Sequence, residues 1–392
     1  MSEIKVDTVV DAAGTGKPNF SNGVTMNGAA LSTLNLGQYT ASSSEPSSPE
    51  NGAIWWDTTN EKIFIYIAGE WKETIGIAAG ISWGGARGFR LGGTSSNIIE
   101  YFDIQNSGNA TDFGDISGTQ SVGGGACGNT SRICQALGFN NISGSFGYIN
   151  NIEYITSSTT GNSTDFGDLT EGRGDNFACS NGTRGVFMGG YTSSGKSKTM
   201  DYITIATLGN AIDFGDLYGY VISGTTYDIR NKTASISNAT RGLTCGGASE
   251  YSGAFNGIQY ITIATTGNAQ DFGDLTRNVA ETSGCSDTTR GLVMGGSGGT
   301  GGSGNLSNVI EYITVDTTGN ATDFGDTTYT SQGAASSSDG TYGCHYGGYG
   351  VSFAQVNTID RVTIQTTGNA TDHGDLTHTN GIYTQGASGN AS

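Results

Sequence analysis

Apolar residues occur along most of this chain in short runs rich in Ile, Val, Tyr and Phe, and each run is cut within a few positions by Gly, Asn or Asp. Two kinds of run recur together. One is a compact apolar block ending in paired glycines, as in GLVMGG (291–296); the other alternates, as in NVIEYITV (308–315). β-Branched and aromatic residues in such short runs, bounded by turn formers, predict strands. With 66 glycines in 392 residues and 13% charged residues, the chain must turn often and cannot be mostly long amphipathic helix. An all-β protein is expected. The glycine does not signal disorder, because 15 Phe, 18 Tyr and 4 Trp supply burial that a disordered chain lacks.

The runs belong to a repeat. GNATDFGDI from Gly108 returns as GNSTDFGDL from Gly161, GNAIDFGDL from Gly209, GNAQDFGDL from Gly267, GNATDFGDT from Gly319 and GNATDHGDL from Gly368. Its asparagines fall at 109, 162, 210, 268, 320 and 369, so the intervals are 53, 48, 58, 52 and 49 residues. A period near fifty residues is that of a propeller blade, and each unit has room for four short strands, a to d. The first unit lacks a small-residue strand before Arg87, whereas the chain ends in a matching GIYTQGASGNAS (381–392). The C-terminal strand is therefore expected to complete the first blade, which removes the open edges of a linear array.

The units resemble kelch repeats. Arg184, Arg241 and Arg290, the glycine pairs at 189–190, 246–247 and 295–296, and Tyr202, Tyr260 and Tyr312 follow the order of that family's motif. Phe replaces the usual Trp of the last strand, and the second unit departs further, reading SRICQALGF. The resemblance implies a six-bladed, kelch-like β-propeller.

The first eighty residues have a different texture. Pro18, Pro46 and Pro49 are the only prolines, and ASSSEPSSPENG (41–52) reads as a linker. After it, AIWWDTTNEKIFIYIAGEWKETIG (53–76) alternates around a turn at Thr58–Glu61, the pattern of a β-hairpin. A lone hairpin is marginal in water, so Trp55, Trp56 and Trp71 are expected to pack on the propeller, another subunit or a host assembly. The expected division is 1–40, an attachment segment; 41–77, linker and Trp-rich hairpin; and 78–392, the propeller. MSEIKVDTVV, GKPNFSNGVTMNGAAL (16–31) and NGAIWWDTTNEKIFIYIAGEW (51–71) resemble the opening of tail-fibre-like virion proteins of tailed phages that infect marine cyanobacteria and other marine bacteria. That likeness covers about a fifth of the chain. It implies that Ile4, Val6, Val9, Val10 and Phe20 fasten the chain to other virion proteins, that the distal region faces the host, and that a homotrimer is in keeping with the group.

Seventeen basic against 35 acidic residues give a net charge of −18, which repels phosphate backbones and anionic membrane surfaces. Neither nucleic acid nor membrane is an expected partner. No apolar stretch is long enough to span a bilayer, and the N-terminus has no signal-peptide core. The cysteines at 127, 134, 179, 245, 285 and 344 form no Cys-x-x-Cys pair and read as buried, reduced strand residues.

Motifs that carry chemistry elsewhere lack their setting here. GYTSSGKS (190–197) fits a phosphate-binding loop but runs into the strand TMDYITIA, with no helix to aim a dipole at an anion. Gly-rich matches at 295–304 sit in one low-complexity tract. The repeated Asp-Phe-Gly has no kinase catalytic loop beside it. Ser163–Gly167 matches the structural Ser-x-Asp-x-Gly turn of sialidase-like propellers, yet the arginines are spent at repeat positions. Asp112, Asp115 and their equivalents suit turns better than calcium. His345, His373 and His378 have no triad or metal partner in sequence. No enzyme, cofactor or metal is expected.

Across the six units the a–b and c–d turns are near-invariant, while the b–c and d–a connections vary. The variable connections carry Phe146, Tyr148, Tyr191, Tyr251, Phe255, Tyr349 and Phe353, and Tyr218, Tyr220 and Tyr329. Rings among Gly, Ser and Asn suit sugar stacking or protein contact. The expectation is a virion protein on the tail, assembled in the host cytoplasm, that presents this face to a host-surface glycan or protein. The alternatives are a capsid or tail decoration protein and a propeller glycan depolymerase.

Overall fold

A computed structural model describes residues 24–26, 29–31, 39–49, 53–57, 62–67, 70–73, 87–141, 144–222, 225–228, 233–249, 253–298, 305–379 and 385–389. Ile4, Val6, Val9, Val10, Phe20 and Tyr251 lie outside the described residues. The chain divides into two units, Met1–Gly80 and Ile81–Ser392.

In the first unit the hairpin expected after Ala53 forms, with Ile54–Asp57 antiparallel to Lys62–Ile67. It is not alone. Tyr39–Ser42 pairs parallel to Ile54–Asp57, and Glu70–Glu73 adds a fourth strand, so the stretch expected as a linker begins and ends beside strands of one sheet. Trp55 is buried inside this sheet: its ring stacks on Phe64 at 4.9 Å and meets Trp71 at 5.7 Å, and its Nε1 donates to the Ser42 carbonyl at 3.1 Å. Trp55 and Trp71 thus find aromatic partners within the sheet, because the two flanking strands supply the burial that a bare hairpin lacks.

The second unit is a six-bladed β-propeller. Blade 1 takes strand a from Gln385–Gly389 and strands b to d from Arg87–Gly93, Ser96–Asp103 and Thr111–Val122. In the same order, blade 2 is Ala126–Gly128, Arg132–Ala136, Asn151–Thr156 and Thr164–Asp168, and blade 3 is Phe177–Ser180, Arg184–Met188, Thr199–Thr204 and Ile212–Asp216. Blade 4 is Ala234–Ser237, Arg241–Cys245, Gly253–Thr262 and Gln270–Val279; blade 5 is Ser283–Ser286, Arg290–Met294, Asn305–Thr314 and Thr322–Ser331. Blade 6 is Ala335–Ser338, Tyr342–Tyr346, Thr358–Thr363 and Thr371–Asp375. The C-terminal strand closes the ring in the expected register, Gln385 opposite Leu91 and Gly389 opposite Arg87. It also touches the a strands of blades 2 and 6, so the six inner strands surround one axis.

The core lies between blades. There are six buried clusters among the described residues, and each draws on two neighbouring blades; one joins Ile236, Leu243 and Phe272 of blade 4 to Val293, Ile313 and Val315 of blade 5. Strand b is therefore covered on both sides and reads as an unbroken apolar run. The repeat phenylalanines Phe113, Phe166, Phe214, Phe272 and Phe324 are at most 3% exposed, and burying each ring stabilises the ring closure by about 2 kcal/mol. His373 takes the sixth place, its Nε2 2.7 Å from the Asp103 carbonyl and its Nδ1 3.3 Å from Ser107 Oγ. A polar ring is tolerated there because both nitrogens have partners.

Candidate recognition face

Strand direction alternates within a blade, so a–b and c–d turns open on one face and b–c and d–a connections on the other. The near-invariant face is consumed in holding the ring. The asparagine of each GNATD accepts from the backbone of the preceding blade: Asp115 N from Asn162 Oδ1 is 3.0 Å away, and Asp168–Asn210, Asp216–Asn268, Asp274–Asn320, Asp326–Asn369 and Asp375–Asn109 repeat the contact at 3.0–3.1 Å. The same junction adds backbone bonds such as Gly209 N to Phe166 O and Ala211 N to Asp168 O. These amide oxygens are committed to the fold, and no three His, Cys, Asp or Glu side chains converge as a metal site among the described residues.

An arginine spans every junction as well. Arg87, Arg132, Arg184, Arg241 and Arg290, at the start of strand b, lie 4.1–4.7 Å over Tyr101, Tyr154, Tyr202, Tyr260 and Tyr312 of strand c. Each donates from Nη1 to a carbonyl of the next blade: Ser157, Ile205, Ile263, Val315 and Ile364. A further ring, missed in the sequence, is built from the strand c residue before that tyrosine, or before Arg361 in blade 6. Glu100, Glu153, Asp201, Gln259, Glu311 and Asp360 are all buried, and each accepts from a residue two positions after the repeat Gly-Asp of the preceding blade, as Asp201 does from Thr170 Oγ1 at 2.6 Å and Asp360 from Thr328 N at 2.6 Å. Three of them also meet a guanidinium: Arg90–Glu100 at 3.5 Å, Arg173–Asp201 at 2.7 Å and Arg277–Glu311 at 3.1 Å. Burial lowers the pKa of all three arginines and raises those of Asp201 and Asp360. The recurring acid was visible in the repeat, but its partner lies in another blade.

On the variable face the predicted rings meet different fates. Phe146 is 50% exposed and Tyr148 37%, on a hairpin, Phe139–Asn141 with Phe146–Tyr148, that extends the blade 1 sheet. Phe139 backs them, 5.8 Å from Phe146 in a stacked pair and 4.8 Å from Tyr148. Tyr218 is 40% exposed, and its amide donates to Gln259 Oε1. Tyr220 lies in a second hairpin, Gly219–Ile222 with Thr225–Asp228. Phe353, 57% exposed, projects with Val351, 70% exposed, from the b–c loop of blade 6; Ser352 and Phe353 hold left-handed φ values of 59° and 58°. Its ring meets Tyr349, half-buried, at 5.8 Å.

Three predicted rings are occupied in the fold. Phe255 is buried, because strand c of blade 4 begins at Gly253 and pairs with Ala248–Ser249 and Val279 where a loop was expected. Tyr329 belongs to strand d of blade 5; its hydroxyl donates to the carbonyls of Gly347 and Thr358, and burial raises its pKa. Tyr191 pairs with Lys196 in a small hairpin, with the ammonium 5.4 Å from the ring and 3.1 Å from the Ala248 carbonyl. The GYTSSGKS segment is this hairpin, and a strand follows it.

The channel is walled by small residues, since six strands converge there. At its mouth, on the variable face, lies a cavity of about 110 Å³ lined from blades 2 to 6. Beside it His345 is buried between Ser283 Oγ and Ser331 Oγ, each 2.7 Å from a ring nitrogen. Burial pulls its pKa down to about 3, so the ring is a neutral tie. All six cysteines are buried and unpaired, and burial pushes thiols such as Cys134 and Cys179 up to about 12, which leaves them unreactive at neutral pH.

Fold and face together define a propeller with one structural face and one face of hairpins and loops that carries exposed rings. Compared with models of known protein families the chain matches none, and it matches no curated protein sequence.

Proposed function

We propose that this chain is a phage virion protein, a tail fibre or tail-associated appendage, whose residues 1–77 dock on other virion proteins and whose propeller presents its variable face to a host surface. The N-terminal resemblance supplies the setting. The observation that carries the recognition role is the segregation of exposed apolar side chains. Among the described residues the large ones are Phe146, Tyr148, Leu208, Ile212, Tyr218, Val351 and Phe353, and five of the seven stand on b–c or d–a connections. Exposed rings on short hairpins bind with little loss of entropy. Side chains this exposed add little to the core, so they are better explained by contact with another surface.

The test is direct. Labelled full-length chain should bind intact host cells, the Phe146→Ala/Phe353→Ala pair should weaken that binding at least tenfold, and antibody labelling should place the chain on the tail. A label confined to the head, or binding to particles and not to cells, favours a decoration protein; release of reducing sugar from surface glycan favours a depolymerase.

A further inference from the structure

Two of the seven exposed apolar side chains stand apart from the rest. Leu208 and Ile212, 53% and 59% exposed, lie on the near-invariant face, and both belong to the c–d turn of blade 3. In the other five blades the same two places are polar, Ser or Thr before the glycine and Thr or Gln before the aspartate, as at Thr318 and Thr322 of blade 5. The ring does not require the change. Gly209 N and Ala211 N donate to Phe166 O and Asp168 O, as Gly319 N and Ala321 N of blade 5 do to Phe272 O and Asp274 O. Leu208 precedes strand d, so strand propensity does not call for it either. Ile212 stands opposite Tyr202 on strand c, whose half-buried ring extends the apolar surface. Exposed aliphatic side chains scattered singly are ordinary; two in one turn, on a face that shows no other large one among the described residues, mark a contact surface.

Its border is acidic. Asp213 and Asp216 follow on strand d of blade 3, and Asp165 and Asp168 belong to strand d of blade 2, beside which the turn runs. Asp165 and Asp213 are exposed and the other two partly so. Lys198 ties Asp216 at 2.8 Å, while Arg132 and Arg184 are stacked on Tyr154 and Tyr202 and donate across the seams to Ile205 O and Ile263 O. A second copy is a poor occupant, because acids would meet acids in a chain of net charge −18. Two side chains also supply far less than the roughly 800 Å² per partner of a stable interface. The same small area suits a chain already held nearby: a tether raises the local concentration to about millimolar, so a contact too weak to form in solution is occupied once the chain is anchored.

We propose that Leu208 and Ile212 form a second docking point, on the face turned away from the host, that seats in an apolar pocket bordered by lysine or arginine on a protein of the particle. This rests on the reading that residues 1–77 fasten the chain there. The contact would fix the orientation of the propeller, so that the variable face is presented outward.

The experiment is photo-cross-linking in assembled particles, with p-benzoylphenylalanine placed at Leu208 or, as the control, at Thr318. The first position should link to one other virion protein, at a peptide that carries aliphatic and basic residues, with a yield at least fivefold above the control. Asp213→Lys should lower that yield at least threefold. Leu208→Thr/Ile212→Thr, which gives blade 3 the TTGNATD turn of blades 5 and 6, should keep the melting temperature and host-cell binding of the parent and lower at least threefold the amount of chain retained on particles after prolonged washing. The proposal is overturned if the two positions link equally or not at all, if the linked partner is a second copy or an acidic segment, or if the folded double variant is retained like the parent or loses host-cell binding. Each of those results leaves the chain on the particle and the virion reading intact, whereas absence of the chain from purified particles sinks that reading and this contact with it.

Discussion

Tyr342 and Arg361 stand in each other's places. Five blades put arginine at the start of strand b and tyrosine on strand c; blade 6 has the tyrosine on b and the arginine on c. The guanidinium still lies 4.4 Å from the ring centroid, and Nη1 still donates to the next blade, to Ile104 O at 3.1 Å. The junction requires a cation stacked on a ring with a donor aimed across the seam, and either strand can supply it.

The swap predicts a rescue. Arg361→Ala removes the stacking and the bonds to Ile104 and Gln105 at the seam where the ring closes, and should cost about 2 kcal/mol. Tyr342→Arg alone crowds two cations together and should cost a similar amount. The double variant Tyr342→Arg/Arg361→Tyr restores the arrangement of the other blades and should lie within about 0.5 kcal/mol of the parent. Urea unfolding of the four proteins gives the coupling; additive losses would refute the equivalence.

The junction between blades 2 and 3 separates two kinds of contact. Asn210→Ala leaves the Asp168 amide to water on an exposed edge, a loss of about 1 kcal/mol. Gly167→Ala should be worse, by about 3 kcal/mol or more, because its φ is 146° and an added Cβ would lie 2.5 Å from the Gly209 backbone, which cannot move without opening the seam. Thermal melts that rank the two variants in the opposite order would contradict this account.

Removing residues 385–392 deletes strand a of blade 1 and strips the edge of Arg87–Gly93. The truncated chain should associate through that edge or unfold at lower temperature, read by light scattering and melting. A synthetic peptide of residues 381–392 added in trans should restore a monodisperse species with the parent melting point. No response to the peptide would mean that the strand's stabilising role is not separable from its covalent connection.

The repeat was legible because each junction makes the same demand of each copy. Gly167 and its equivalents meet the neighbouring backbone, which leaves no room for a Cβ, and Asn210 and its equivalents reach a neighbouring amide with a short side-chain acceptor. The clasp was legible as a missing strand at one end and a surplus one at the other. The buried acids were not legible as a ring for the opposite reason: Asp201 sits in its own repeat beside Tyr202, but its partner Thr170 belongs to the preceding one. Among the rings, sequence gave the connections and not their lengths. Phe255 lost its exposure because strand c of blade 4 runs back to Gly253, and Tyr329 because strand d of blade 5 runs on to Ser331. Phe146 and Phe353 kept theirs because a hairpin and a short 3-10 turn hold them away from the sheets.

His345 sets a pH dependence whose sign is fixed. It is buried with a pKa of about 3, against 6.5 for the free side chain, so between those values the unfolded chain binds the proton and the folded chain does not. The stabilising effect is fully present above about pH 6.5 and is lost as the pH falls, at roughly 1.4 kcal/mol for each unit in that window. His345→Gln cannot be protonated and can keep one contact, to Ser331 or to Ser283. It should be less stable than the parent at pH 7, by about 1–2 kcal/mol for the contact it loses, and should gain on it steadily toward pH 4. The difference between the two proteins cancels the titration of every other group, so urea midpoints measured from pH 4 to 7 isolate His345; parallel curves would show that the ring is protonated within the fold.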